Sequence, residues 1–343
     1  MKEILIVDDN ITNLKQISSF LEGKYRFSLA KSGQQALTIC AHERPDLILL
    51  DVQMPGMNGF DTIARLKENP TLHNIPVIFI TSNLEPATEI EGFRLGARDF
   101  IKKPVVNSVL IHRLALHLNI STYQTQLADS VKTLSDNLTA SIAELIECRD
   151  ENTGGHVVRT SQYFELLGRD LIERGMYPEQ LSVEALNMMV RAAPLHDIGK
   201  ISISDKILLK PDRLTDDEFN IMKTHTEVGA RILKNMFART PTQQYLKYAI
   251  MIAASHHERY DGNGYPTGAS GENIPLCGRI MAIADVYDAV INDRVYRKGL
   301  SHAEVSRIIT DGRGAQYDPC ILDSFENCCS KFSELSSYRD HPS

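Results

Sequence analysis

The sequence predicts an α/β domain built on a doubly wound, parallel five-stranded sheet, followed by an all-α helical bundle domain with a connecting helix between them. Three observations carry this prediction. Over roughly the first hundred residues, short apolar runs alternate with amphipathic stretches, as in a parallel sheet covered on both faces. Beyond about residue 120 the strand signal gives way to helical periodicity, broken at Gly154-Gly155, Gly175, Lys210-Pro211 and the Gly-rich stretch 262–271. At 343 residues the chain has room for about two domains.

Ile4-Leu5-Ile6-Val7, Phe27-Ser28-Leu29-Ala30, Leu47-Ile48-Leu49-Leu50 and Val77-Ile78-Phe79-Ile80 read as the first four strands. The fifth lies within Asp99-Phe100-Ile101-Lys102-Lys103-Pro104. Ile11–Leu21, Gln34–His42 and Gly59–Lys67 read as the amphipathic helices between them. Farther on, Leu127, Val131, Leu134, Leu138, Ser141 and Leu145 step by 4, 3, 4, 3 and 4 residues, a heptad pattern with Ser141 its weak member. A coiled coil and an ordinary amphipathic helix both fit so short a run. The expected organisation is a first domain at 1–118, a linker helix at 119–146, a helical domain at 147–330 and a flexible tail at 331–343.

Composition excludes several classes. Lys+Arg 37 against Asp+Glu 44 gives a formal charge of −7, so no electrostatic footprint for DNA shows in the totals. With 43% hydrophobic and 24% charged residues, large-scale disorder is excluded. No apolar run approaches the roughly 18 residues needed to cross a bilayer. The opening MKEILIVDDN is cut short by Asp8 and Asp9 and does not read as a secretory leader. Six Cys without C-x-x-C spacing read as reduced thiols, which fits a cytoplasmic protein.

Asp8 and Asp9 follow the first expected strand, Asp51 the third, Thr81 the fourth and Lys103 the fifth. In a doubly wound sheet, functional groups collect at the carboxyl ends of strands. Three acids brought together there repel unless a cation neutralises them, and oxygen ligands suit Mg²⁺. Asp8-Asp9, Asp51 followed by Val-Gln-Met-Pro-Gly, Thr81 and Lys103-Pro104 resemble the receiver domain of two-component response regulators, over about residues 1–118. The resemblance implies that Asp51 accepts phosphate from a sensor histidine kinase and that Asp8, Asp9, Asp51 and the Gln53 carbonyl hold Mg²⁺. It also implies that Thr81 and Lys103 grip the phosphoryl oxygens and that Phe100 is the aromatic switch.

Five of the 11 histidines fall at His156, His196, His225, His256 and His257. Asp197 adjoins His196, and Asp285 sits in the apolar run Ala282-Ile283-Ala284-Asp285-Val286-Tyr287, where an unpaired carboxylate is costly. Spacings of 28 to 40 residues fit ligands drawn from different helices around one bundle core. Imidazole with carboxylate suits Fe, Mn, Zn, Co or Ni rather than Ca²⁺. Two such ions about 3.5–4 Å apart can clamp a phosphodiester for in-line attack.

His196-Asp197-Ile198-Gly199-Lys200 and HHERYDGNGYP at 256–266 resemble the HD-GYP branch of the HD phosphohydrolases. TGGH at 153–156, Asp205-Lys206-Ile207-Leu208, Met222-Lys223-Thr224-His225 and Asp293-Arg294-Val295-Tyr296-Arg297 extend the match over about residues 140–325. The family implies a metal-dependent cyclic di-GMP phosphodiesterase, with Fe or Mn as the first choices of ion. Carried over by position, the ligands are His156, His196, Asp197, His225, His256, His257 and Asp285, with Asp197 bridging. Lys200 would serve the scissile phosphate or leaving oxygen, and Arg294 and Arg297 would hold substrate phosphates or guanines. Asn152, four residues before His156, stands where many members have a Glu that binds a third metal. A two-metal site that releases the linear dinucleotide pGpG is therefore expected. Three alternatives stay open: action mainly on pGpG, action on another cyclic dinucleotide, or a catalytically weak sensing and docking module. A homodimer is a further expectation.

Overall fold

The computed structural model describes residues 1–82, 85–149, 155–293 and 298–337. The chain divides into two compact units, Met1–Val131 and Lys132–Ser343.

In the first unit, β1 (Glu3–Val7), β2 (Arg26–Ala30), β3 (Leu47–Asp51), β4 (Val77–Thr81) and β5 (Asp99–Lys102) form a parallel sheet of order β2-β1-β3-β4-β5. The intervening helices are α1 (Ile11–Leu21), α2 (Gly33–His42), α3 (Gly59–Glu68) and α4 (Pro86–Arg94). Successive strand residues point to opposite faces, so each strand feeds two cores. Ile4, Ile6, Leu47, Leu49, Ile78 and Ile80 pack with Leu14, Ile17 and Leu21 of α1 on one face. Leu5, Val7, Ile48, Leu50, Val77 and Phe79 pack with Ala36, Cys40, Ile63 and Leu66 of α2 and α3 on the other. Asn10, Ser32 and Asn58 cap α1, α2 and α3 by accepting from the first-turn amides, so each helix starts at a fixed point just beyond its strand. The polar side chains that follow those strands are thereby held in place.

Helix α5 runs from Asn107 to Glu147. Leu110, Leu114 and Leu118 belong to the core shared with α1, whereas Ile146 belongs to the core of the second unit. From Leu116 onward its exposed large apolar residues are Leu116, Ile120, Tyr123, Leu127, Val131, Leu134, Leu138, Ile142 and Leu145. The expected heptad has Ser141 where the exposed apolar residue is Ile142, and the nine residues instead repeat every 11 positions. They form the columns 116/127/138, 120/131/142 and 123/134/145.

The second unit is helical: α6 (His156–Glu173), α7 (Val183–Ala192), α8 (Asp205–Leu208), α9 (Asp216–Arg239), α10 (Tyr245–Ser255), α11 (Leu276–Ile291), α12 (His302–Asp311) and α13 (Pro319–Ser337). Short 3-10 turns at Ala193–Leu195 and Ile198–Ser202 lie between α7 and α8. Helix α11 is apolar nearly all round and buries eleven residues, as expected of a central helix. Its one buried cation, Arg279, is ion-paired with buried Asp318. The tail expected from residue 331 is helical through Ser337 within α13, because Phe332 is fully buried against Tyr163 and Tyr287. Residues 338–343 lie outside the described residues.

Candidate metal centre and phosphoacceptor pocket

Asp8 follows β1, Asp51 ends β3 and Thr81 ends β4; all three are buried. Oxygens of Asp8, Asp9 and Asp51 lie within 4.8 Å of one another. Lys103 Nζ donates to Asp51 Oδ2 at 2.7 Å and to Asp8 Oδ2 at 2.9 Å. Burial would lower the Lys103 ammonium, but these two carboxylates hold it above its ordinary value. Burial pushes the Asp51 carboxyl up, Lys103 opposes it and Asp8 adds to it. Three acids facing one ammonium leave an excess of negative charge that fits a hard divalent cation. The Gln53 backbone amide donates to Asp51 Oδ1 at 3.2 Å, which fixes the loop beside that carboxylate. Phe100 is turned inward, its ring 5.3 Å from Phe79 and 5.1 Å from Phe93. A Cβ on Gly92 would stand 2.4 Å from Phe100 Cζ, so this ring position depends on glycine there. Asn13, which spacing arguments do not single out, donates its amide to both oxygens of Asp8 at 3.0 Å.

In the second unit the polar residues converge on the bundle core. His156 opens α6, His196 and Asp197 lie between the two 3-10 turns, and His225 lies in α9. His256 and His257 follow α10, and Asp285 lies in α11. Asp197 is the pivot. Its Oδ1 is 3.2 Å from His225 Nε2 and 3.5 Å from His256 Nε2. Its Oδ2 faces the other side, 3.4 Å from His196 Nε2. On that side Asp285 Oδ1 stands 3.5 Å from His156 Nε2 and 3.8 Å from His196 Nε2. The arrangement has two halves sharing one carboxylate. Asp197 with His225, His256 and His257 forms one, and His156 and His196 with Asp285 the other.

The donor chemistry fits transition ions. His196 Nε2 and Asp197 Oδ1 are buried with no hydrogen-bond partner among the described residues. Such atoms are costly unless something binds them. His196, His225 and His256 point Nδ1 at the carbonyls of Ala193, Met222 and Ile252, at 3.1, 2.7 and 3.0 Å. When Nδ1–H donates to these carbonyls, Nε2 is left as a lone-pair donor aimed inward. Burial lowers His256, and burial with neighbouring His256 and His225 holds His257 well below the ordinary imidazole range, so both stay neutral. His156 donates Nδ1–H to Asp288 Oδ2 at 2.7 Å, and Arg159 clamps the same carboxylate at 2.7 and 2.9 Å. Burial disfavours the charge on Asp197, but Lys200 and His196 favour it more strongly, so it stays ionised well below the usual carboxylate range.

Lys200 lies on the second 3-10 turn. Three residues per turn place it over Asp197, with Nζ 2.8 Å from Oδ2. The loop at 256–266 folds back on the centre: the Tyr265 ring packs 4.8 Å from His257, and its amide donates to the His257 carbonyl. Asp261 instead accepts from Arg259 and from the Asn263 amide. Arg294, Arg297 and Asn152 lie outside the described residues. Sequence spacing missed Asp288, although a second acid three residues after Asp285 in an apolar helix is a signal for it. It also missed Glu147, whose Oε1 is 3.2 Å from His156 Nε2.

A receiver-domain model of response regulators matches residues 4–115, and an HD domain model matches residues 140–321. A probable cyclic di-GMP phosphodiesterase of Vibrio cholerae is 40% identical over 337 residues, covering 94% of this chain and 76% of that protein. The cyclic di-GMP phosphodiesterase response regulator RpfG of Xanthomonas campestris is 34% identical, covering 97% of this chain and 91% of the relative. A 3'3'-cGAMP-specific phosphodiesterase of Vibrio cholerae is 36% identical over 189 residues, 55% of this chain and 34% of its own length. Among the described residues no helix is long and apolar enough to cross a membrane. With a matching receiver model, a matching HD model and relatives aligned through both, the chain belongs to the response regulators that join a receiver domain to an HD domain of the HD-GYP branch.

Proposed function

We propose that this chain is a cytoplasmic response regulator that hydrolyses cyclic di-GMP at a two-metal centre, controlled by phosphorylation of Asp51 by a sensor histidine kinase. The observation that carries the hydrolase half is Asp197, with one oxygen toward each group of imidazoles. His156, His196, Asp197 and Asp285 would hold one ion, and Asp197, His225, His256 and His257 the other. When bound, Fe, Mn or a similar ion supplies Lewis acidity toward water and a phosphodiester. Lys200 sits beside the bridging carboxylate, where an ammonium stabilises charge developing on phosphoryl oxygens. Arg294 and Arg297 are assigned to the substrate's phosphates or guanines. Asp8, Asp9, Asp51 and the Gln53 carbonyl would hold Mg²⁺ in the receiver, with Thr81, Lys103 and Phe100 reading out the phosphoryl group. The neutral Asn152 in place of Glu favours pGpG over GMP as product. Two copies pair along the exposed apolar residues of α5.

Turnover of metal-loaded protein on cyclic di-GMP, 3'3'-cGAMP and pGpG tests this, since a relative carries 3'3'-cGAMP in its name. Cyclic di-GMP is expected to turn over fastest. Asp197→Ala should abolish turnover and lower bound metal, whereas Lys200→Ala should keep metal and lose about 10²-fold or more in kcat. Full activity of metal-stripped protein or of Asp197→Ala would refute the mechanism. Phosphodonor labelling that survives Asp51→Asn would refute the receiver assignment.

A further inference from the structure

The last residue of α5, Glu147, contributes a carboxylate to the second unit's polar core. We infer that Glu147 is a ligand of the ion held by His156 and His196; the inference rests on the metal-centre reading above. Its ligand atom lies with those of His156 and His196 inside a 4.8 Å group, all three residues turned inward. A salt bridge to a protonated His156 matches only one of the carboxylates gathered here. His156 already gives Nδ1–H to Asp288, and its Nε2 faces both Glu147 at 3.2 Å and Asp285 at 3.5 Å. Glu147, Asp285 and Asp197 put three carboxylates around two imidazole nitrogens, while Lys200 is bound to Asp197 and Arg159 to Asp288. A carboxylate at the last position of a helix also meets the negative end of the macrodipole. Burial beside other acids adds to that cost, and a divalent cation offsets both. Residue 152, four before His156, is Asn and brings no carboxylate. Glu147 is nine residues before His156, on a different helix.

The test uses full-length protein loaded with Mn²⁺, with metal counted by mass spectrometry and the ion pair read by electron paramagnetic resonance. Glu147→Gln is expected to lower the count by about one ion per chain, weaken Mn²⁺ binding at least about tenfold and replace a spin-coupled signal with that of an isolated ion. Glu147→Asp, which keeps the charge, should recover part of the affinity. Both variants should match wild type in the helical circular dichroism of the metal-free protein. If Glu147→Gln keeps the full count, affinity and coupled signal, the inference is wrong while the two-metal reading stands. If wild type itself binds no Mn²⁺, both fail together.

Discussion

His156 shows how one side chain links the metal centre to stability. In the metal-free protein, burial opposes its charge but Asp288 outweighs burial and raises its pKa from the ordinary 6.5 to about 9. A raised folded-state value means that the stabilisation is complete below pH 6.5 and is lost as pH rises through 9. The shift from 6.5 to about 9 corresponds to on the order of 3 kcal/mol. Chelator-treated protein should therefore show a urea midpoint that falls between pH 6.5 and 9, and Asp288→Asn should flatten the slope. A flat midpoint in wild type would contradict this origin of the shift. Among single residues, the histidines and Asp197 were legible because ligand residue types stand out in sequence. Glu147 was not, since it ends one helix and His156 opens the next, so no single helical spacing links the two.

At the scale of elements, the centre depends on how closely the Ile198–Ser202 turn lies on α9. A Cβ on Gly199 would stand 1.8 Å from the His225 carbonyl oxygen and 2.6 Å from the Gly229 amide. Those are backbone atoms of a long helix and cannot step aside. Gly199→Ala should cost about 3 kcal/mol or more, and it should lower bound metal by moving His225. Gly229→Ala should be milder, because the nearest atom to its added Cβ is 3.2 Å away. Denaturant titration of both variants decides the order. The strands were legible from their apolar runs, and the sheet extends each of the first four by one polar residue, Glu3, Arg26, Asp51 and Thr81, which join the ladder through their backbones. The 3-10 turns were not legible, because spacings of three and four are hard to separate over a few residues. The end of α13 was masked by its serines, although Phe332 anchors it.

For the whole molecule, α5 is, among the described residues, the element that contributes to the cores of both units, through Leu110, Leu114 and Leu118 in one and Ile146 in the other. The nine exposed apolar side chains from Leu116 to Leu145 run over about 44 Å of helix, a length at which a dimer can bury enough surface to be stable. Val131→Glu combined with Leu134→Glu should weaken self-association at least about tenfold in sedimentation equilibrium. It should leave the melting of each unit unchanged, because neither side chain belongs to a core. Equal association of wild type and variant would remove α5 as the pairing surface.

The 11-residue spacing of that stripe has a consequence for supercoiling. Eleven residues in three turns is about 3.67 per turn, slightly more than the α-helical 3.6, whereas a heptad needs 3.5. Two such helices stay in register by winding gently right-handed, opposite to a leucine zipper. The same arithmetic sets which changes of length the helix tolerates. Removing Ser121–Val131 turns the remaining stripe by only about 20° and leaves one continuous seam, whereas removing five residues turns it by about 140° and splits the seam onto two faces. Natural variation in the length of this linker should therefore come in steps of 11, with shorter steps confined to those that keep the stripe on one side.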